Sequence, residues 1–242
     1  MAELGLSVRG IEGSYGQGIV IQNIDIDVPP GNITCLMGLN GMGKTTTLRA
    51  IMGLLPHSAG EVLVDGVAVS PVPHKRARAG IAYVPEDRQV FPTLTVAENL
   101  RVARRKGRKP PLADDEIFGI FPKLADRQMQ LAGTMSGGEQ QMLVIARAIV
   151  TAPTVILLDE PSEGLAPEYV DAIYSALQIL RLHSIGVLLV EQNFKMACTA
   201  GDEFVVLNRG SVVGRASRRE VASDPSVVER HLSLSTSSSF SD

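Results

Sequence analysis

The chain lacks most of what marks a secreted, membrane-spanning or polyanion-binding protein. Its only cysteines, Cys35 and Cys198, form neither a disulfide framework nor a metal-ligand spacing, which fits a reducing compartment. No stretch approaches the roughly 20 apolar residues of a membrane span, and no basic segment leads into an apolar core at the N-terminus. A soluble, cytoplasmic chain is therefore expected. Basic excess is missing too: 23 Lys and Arg stand against 26 Asp and Glu, for a net charge of −3 and a pI near 5.8. That balance gives no broad attraction to nucleic acid, and none is expected as a partner. His57, His74, His183 and His231 are scattered without metal-like spacing and read as surface or loop residues. No internal repeat is visible. At 242 residues the chain suits one large α/β domain or two small ones, with a core that needs no staple.

What is present begins with Gly38-Leu39-Asn40-Gly41-Met42-Gly43-Lys44-Thr45. The apolar run Ile33 to Met37 before it reads as a buried strand, and Thr46 to Leu55 after it carries apolar residues at helical spacing. Glycines at such a strand-to-helix turn let backbone N–H groups wrap closely around phosphates. Lys44 would reach the β and γ phosphates, the Thr45 hydroxyl would take a Mg²⁺ position, and the helix start from Lys44 to Thr46 would add its positive dipole end. The segment predicts nucleotide binding.

Around it, two strand patterns separate. Ile24, Ile26 and Val28 alternate with Asn23, Asp25 and Asp27, and Glu61 to Val69 reads as a hairpin around Asp65-Gly66, so the early strands form a small antiparallel sheet. Ile33 to Gly38, Ile81 to Val84, Val155 to Asp159 and Val187 to Val190 are short continuous apolar runs, the pattern of parallel strands covered on both faces. From about Thr93 to Ala152 an inserted helical subdomain is expected, with capping-box spacings at Thr95/Glu98 and Ser136/Glu139. Its basic run, Arg101, Arg104, Arg105, Lys106, Arg108 and Lys109 before Pro110-Pro111, reads first as a solvated face, with lipid headgroups or another subunit as alternatives. Met129, Met135 and Met142 read as packing residues. The main domain runs over residues 1–234, and the serine-rich tail, 235–242, is expected to be disordered.

Thr154 to Pro161 reads TVILLDEP, a strand that delivers Asp159 and Glu160 at its C-terminal end. Side chains alternate along a strand, so the two acids take different roles. Asp159 would hold Mg²⁺ opposite Thr45, and Glu160 would face the γ-phosphate and orient or deprotonate the attacking water. Ser136-Gly137-Gly138-Glu139 opens another helix, whose free N–H groups and dipole make a second anion site. Two phosphate-facing helix ends in one chain suggest two chains sandwiching ATP.

In this order and spacing, GLNGMGKT, MSGGEQQ and ILLDEP resemble the Walker A, signature and Walker B motifs of ABC-type ATPases, over about Leu4 to Leu232. The resemblance implies a P-loop NTPase fold, with a RecA-like, mostly parallel core sheet, an N-terminal antiparallel subdomain and an inserted helical subdomain. It implies a head-to-tail dimer, with ATP between the Walker A of one subunit and Ser136 to Glu139 of the other, and Tyr15 stacked on adenine. YVPEDRQVFPTLTVAENL, TMSGGEQQML and LLVEQN are most similar to ATPases of branched-chain amino acid, amide and urea importers. Glu86 stands where a Mg²⁺-linked glutamine is usual, and as a carboxylate it could ligate the metal itself. Gln192 replaces a histidine at the γ-phosphate, donating a hydrogen bond but unable to titrate near neutrality. Ala166 replaces an aspartate after Walker B.

These features imply ATP and Mg²⁺ as cofactors, with Glu160 and Gln192 as the catalytic pair. They imply as partners a second ATPase subunit, related or identical, and transmembrane permease subunits with an extracellular binding protein. The site of action would be the cytoplasmic face of the membrane. A soluble ABC ATPase of DNA repair or ribosomes would carry two ATPase halves, coiled coils or basic extensions. A small-molecule kinase would not need the SGGEQ helix start, and no guanine-reading sequence supports a GTPase.

Overall fold

The computed structural model describes residues 5–16, 18–105, 112–224 and 226–233. Lys106, Arg108, Lys109, Pro110 and Pro111 of the basic run, the serine-rich tail, and the side chains of His57 and His231 lie outside the described residues.

Two sheets organise the fold. The first is antiparallel, built from β1 (Leu6–Tyr15), β2 (Gly18–Val28), β4 (His57–Val64) and β5 (Val67–Ala68) in the order β2-β1-β4-β5. Ile24, Ile26 and Val28 are buried while Asn23, Asp25 and Asp27 face solvent, as the alternation predicts. Asp65 and Gly66, both at positive φ, close the β4–β5 hairpin.

The second sheet has the order β10-β9-β3-β8-β7-β6. Its parallel strands are β3 (Ile33–Met37), β6 (Ile81–Val84), β7 (Val155–Asp159), β8 (Gly186–Val190) and β9 (Glu203–Asn208), and β10 (Ser211–Ser217) lies antiparallel at the edge. The continuous apolar runs have the cause expected, burial on both faces. Ile33, Cys35, Ile156, Leu158, Val187 and Leu189 enter one core, whereas Leu36, Val155, Leu157, Leu188 and Val190 enter the other.

The second of these cores fills the space between the two sheets and takes in α1 (Lys44–Met52), with α2 (Pro73–Arg78) leading into β6. The first core is covered by α6 (Gly137–Ile149), α7 (Pro167–Leu182) and α8 (Phe194–Ala200). It extends under α3 (Val96–Ala103), α4 (Asp114–Ile120) and α5 (Pro122–Ala125), which lie between β6 and α6 in the chain. Helices α9 (Arg218–Ser223) and α10 (Ser226–Ser233) close the described chain. The capping boxes at Thr95/Glu98 and Ser136/Glu139 are both formed.

Met135 and Met142 are buried as packing residues. Met129 is not: it is 82% exposed, on the turn between α5 and α6, where helix-like sequence surroundings place no core beneath it.

Candidate nucleotide site

All five parallel strands end on the same side, and ligands of open α/β sheets gather outside those carboxyl ends. There β3 delivers the glycine loop, β6 leads to Glu86, β7 ends in Asp159 and Glu160, and β8 leads to Gln192. Side chains from all four meet in one cleft of about 290 Å³, which Asn40, Gly41, Lys44, Glu86, Glu160 and Gln192 help to line.

Local geometry forces the loop's composition. Gly43 caps α1 at φ 98°, and a Cβ there would lie 2.8 Å from Ile21 Cγ2, so both conformation and space exclude a side chain. The helix opens at Lys44, whose side chain is only 4% exposed. Its ammonium donates to the carbonyls of Gly38 (2.8 Å) and Leu39 (3.1 Å) and lies 3.4 Å from Glu160 Oε1. A buried cation thus sits between the loop and the acidic strand end.

The alternation of β7 separates its two acids. Asp159 shares the face of Val155 and Leu157, which packs toward α1, and Thr45 Oγ1 on α1 donates to Asp159 Oδ1 at 3.0 Å. The Tyr83 hydroxyl donates to the other oxygen, also at 3.0 Å. Burial pushes the Asp159 carboxyl up from its ordinary value, while these two hydrogen bonds pull it down. Glu160 turns away at φ 46° and accepts from Gln192 Nε2. Glu163 lies next to it in the cleft, its carboxyl raised by a hydrogen bond to Glu160 and by the charge of Glu160.

The other expected residues lie apart. Tyr15, 45% exposed at the end of β1, accepts a 3.3 Å hydrogen bond from Arg49, which also bonds Tyr83. Ser136, Gly137, Gly138 and Glu139 open α6 and do not line the cleft. Ser136 Oγ accepts from Glu139 N, and the Glu139 carboxylate returns to Ser136 N and pairs with Arg127 Nε at 2.9 Å.

Sequence reasoning missed Tyr83, Arg88 and Glu163. Tyr83 was within reach of strand parity, because Ile81 and Tyr83 share the face on which Leu157 and Asp159 lie one strand away. Arg88 donates to the Glu163 carbonyl at 2.6 Å and lies against Gly137, joining two loops to the start of α6, which no motif spacing connects.

A doubly covered parallel sheet that presents a glycine loop and an acidic strand end along one rim defines a P-loop nucleotide hydrolase. The model of the ABC transporter family matches residues 21–163, and the chain belongs to that family as its ATP-binding, ATP-hydrolysing domain. It is 37% identical over 230 residues to the high-affinity branched-chain amino acid transport ATP-binding protein BraG of Pseudomonas aeruginosa, covering 94% of this chain and 99% of that one. It is 36% identical to a probable branched-chain amino acid transport ATP-binding protein, LivF, of Archaeoglobus fulgidus (87% and 91% covered). The lipopolysaccharide export ATP-binding protein LptB of Haemophilus influenzae is 31% identical (94% and 96%). A solved ATP-binding subunit of an ABC transporter superposes with a TM-score of 0.80 at 26% identity, covering 96% of this chain and 99% of that one.

Proposed function

We propose that the chain is the ATP-hydrolysing subunit of an importer for branched-chain amino acids or related small amino acids and amides. Full-length similarity to BraG and LivF carries this reading, and the importer-like segments around Glu86 and Gln192 support it. Urea and amide importers of the same subfamily are the nearest variant. Similarity to LptB supports an exporter as the second reading, at lower identity.

In the site we propose, the loop from Gly38 to Thr46 binds the phosphates of ATP, with Lys44 as its cation. Thr45, Asp159 and Glu86 would hold Mg²⁺; a hydroxyl and two carboxylates are the hard oxygen donors that ion takes, alongside phosphate and water. When bound, the ion neutralises phosphate charge. Glu160 accepts a proton from the water that attacks the γ-phosphorus, and Gln192, bonded to Glu160, orients it and donates toward the γ-phosphate.

At about 290 Å³ the cleft falls just below the roughly 300–1,000 Å³ usual for ligand pockets, which supports a second surface that helps to cover the nucleotide. Ser136 to Glu139 of a second ATPase subunit supplies it in our proposal, and Tyr15 stacks on the adenine. A related, non-identical subunit suits the missing aspartate at Ala166; a second copy of this chain is the alternative. The domain division we propose is one ATPase unit over residues 1–234 with the helical subdomain at about Thr93 to Ala152.

No helix among the described residues is long and apolar enough to cross a membrane; in our proposal permease subunits carry the substrate. We place the chain with them on the cytoplasmic face of the membrane, served indirectly by an extracellular binding protein. The test is reconstitution in vesicles: leucine with its binding protein should raise ATP turnover, and unchanged turnover would reject the importer. In the same assay Lys44→Ala should weaken ATP binding about tenfold or more, since a charged partner of buried phosphate is removed. Glu160→Gln should still bind ATP yet lose nearly all hydrolysis, and comparable turnover in that variant would exclude Glu160 as base.

A further inference from the structure

Tyr169, in the first turn of α7 after its N-cap Ala166, touches the signature helix at two points. Its hydroxyl lies 3.3 Å from Ser136 Oγ. Its ring occupies the place of a Gly138 side chain: a Cβ built on Gly138 would fall within the van der Waals envelope of three ring atoms. This accounts for a glycine in the first turn of α6 where any small residue would otherwise serve. The ring has further partners. Lys123 Nζ stands 4.4 Å over its centroid and is itself paired with Glu168 at 2.9 Å, while the half-buried Tyr169 packs on the core beneath α6 and α7.

We propose that Tyr169 is a positioning residue for Ser136, setting the direction in which that hydroxyl meets the phosphate of ATP held by the neighbouring subunit. Ser136 Oγ already accepts from Glu139 N. Either hydroxyl of the pair can donate; in the arrangement we propose Tyr169 donates into the remaining lone pair of Ser136 Oγ, which leaves the serine's own proton for the phosphate. The position of Tyr169 in the chain gives the contact a second consequence. Helix α7 begins directly after the loop that leaves Asp159 and Glu160, so the segment next to this chain's own hydrolytic carboxylates ends on the serine that serves the other nucleotide. The two sites of a dimer are then tied inside each chain, at a place where Ala166 offers no polar side chain.

This inference rests on the sandwich proposed above, and a double-substitution cycle separates the two. Steady-state hydrolysis is measured in the assembled full-length protein for wild type, Tyr169→Phe, Ser136→Ala and the combination. Tyr169→Phe keeps the ring seated on Gly138 and removes one hydroxyl. It should lower kcat about fivefold, the size of one hydrogen bond, with ATP affinity of the single chain and unfolding temperature unchanged. In the Ser136→Ala background it should lower kcat no further, because its effect acts through the serine. A wild-type kcat for Tyr169→Phe, or an equal loss in both backgrounds, overturns the positioning role. A wild-type kcat for Ser136→Ala overturns the sandwich itself.

Discussion

Asp159 shows how much a single carboxylate depends on neighbours that carry no motif. At 1% exposure its charged form is disfavoured by lost hydration, and two donors, Thr45 and Tyr83, favour that form. Thr45 was legible because the phosphate loop prescribes it. Tyr83 was not, since a tyrosine in an apolar strand reads as packing until the facing strand is known. If Asp159 ligates Mg²⁺ as we propose, Tyr83 is the outer partner that fixes its rotamer, and such partners are worth about tenfold or more in metal affinity. Tyr83→Phe should therefore raise the Mg²⁺ concentration for half-maximal hydrolysis about tenfold. It should leave metal-free ATP binding unaltered, measured with a fluorescent nucleotide in chelator. A Mg²⁺ requirement equal to wild type would show that Thr45 alone orients the carboxylate.

At the level of elements, local chemistry and long-range pairing differ in how far a sequence discloses them. Capping boxes are complete within four residues, and those predicted at Thr95 and Ser136 are formed. Thr95 Oγ1 accepts from Glu98 N at 3.2 Å and the Glu98 carboxylate returns to Thr95 N at 2.9 Å, so Thr95→Ala strips α3 of its cap. The expected cost is about 1 kcal/mol, seen as a lower urea midpoint at unchanged slope. No shift in midpoint would mean that the bridge from Thr95 to Leu131 holds this end without the side chain. Four strands of the parallel core, β3, β6, β7 and β8, were equally legible, because burial on both faces leaves no room for polar alternation. The strands β9 and β10 were not recognised, although Phe204 to Leu207 is apolar and Arg209-Gly210, both at positive φ, makes a hairpin turn. The pairing of β9 with β3 spans most of the chain, and no local signal announces it. The motif at Ser136 shows a helix start, and the fold shows that this start does not line the cleft of its own chain.

Over the whole molecule, acidic side chains collect where the parallel strands end. Glu86, Asp159, Glu160 and Glu163 lie around one buried lysine, although the net charge of the chain is only −3. Behind them Glu191, at the end of β8, is buried and accepts a 2.7 Å hydrogen bond from Ser162 in the loop after β7. Burial raises its pKa, against the downward pull of Ser162 and of Asn193 N–H. Asp159 and Glu163 are raised too. A carboxyl whose folded pKa lies above its unfolded value favours the native state most when protonated. Its contribution is fully present below the unfolded pKa and is lost as pH rises through the folded one. These three carboxyls should accordingly contribute less stability to the ligand-free chain as pH rises above the ordinary carboxylate range, at the end of the sheet where we propose the nucleotide binds. Glu191→Gln isolates one share of this loss, since the amide oxygen still accepts from Ser162 and carries no charge to bury. Its urea midpoint should exceed that of wild type at pH 8, and the difference should shrink as pH falls toward the ordinary carboxyl value of 4.5. A difference that stays constant over that range would mean that Glu191 does not change its protonation, and that its hydrogen bonds fully offset the burial of its charge.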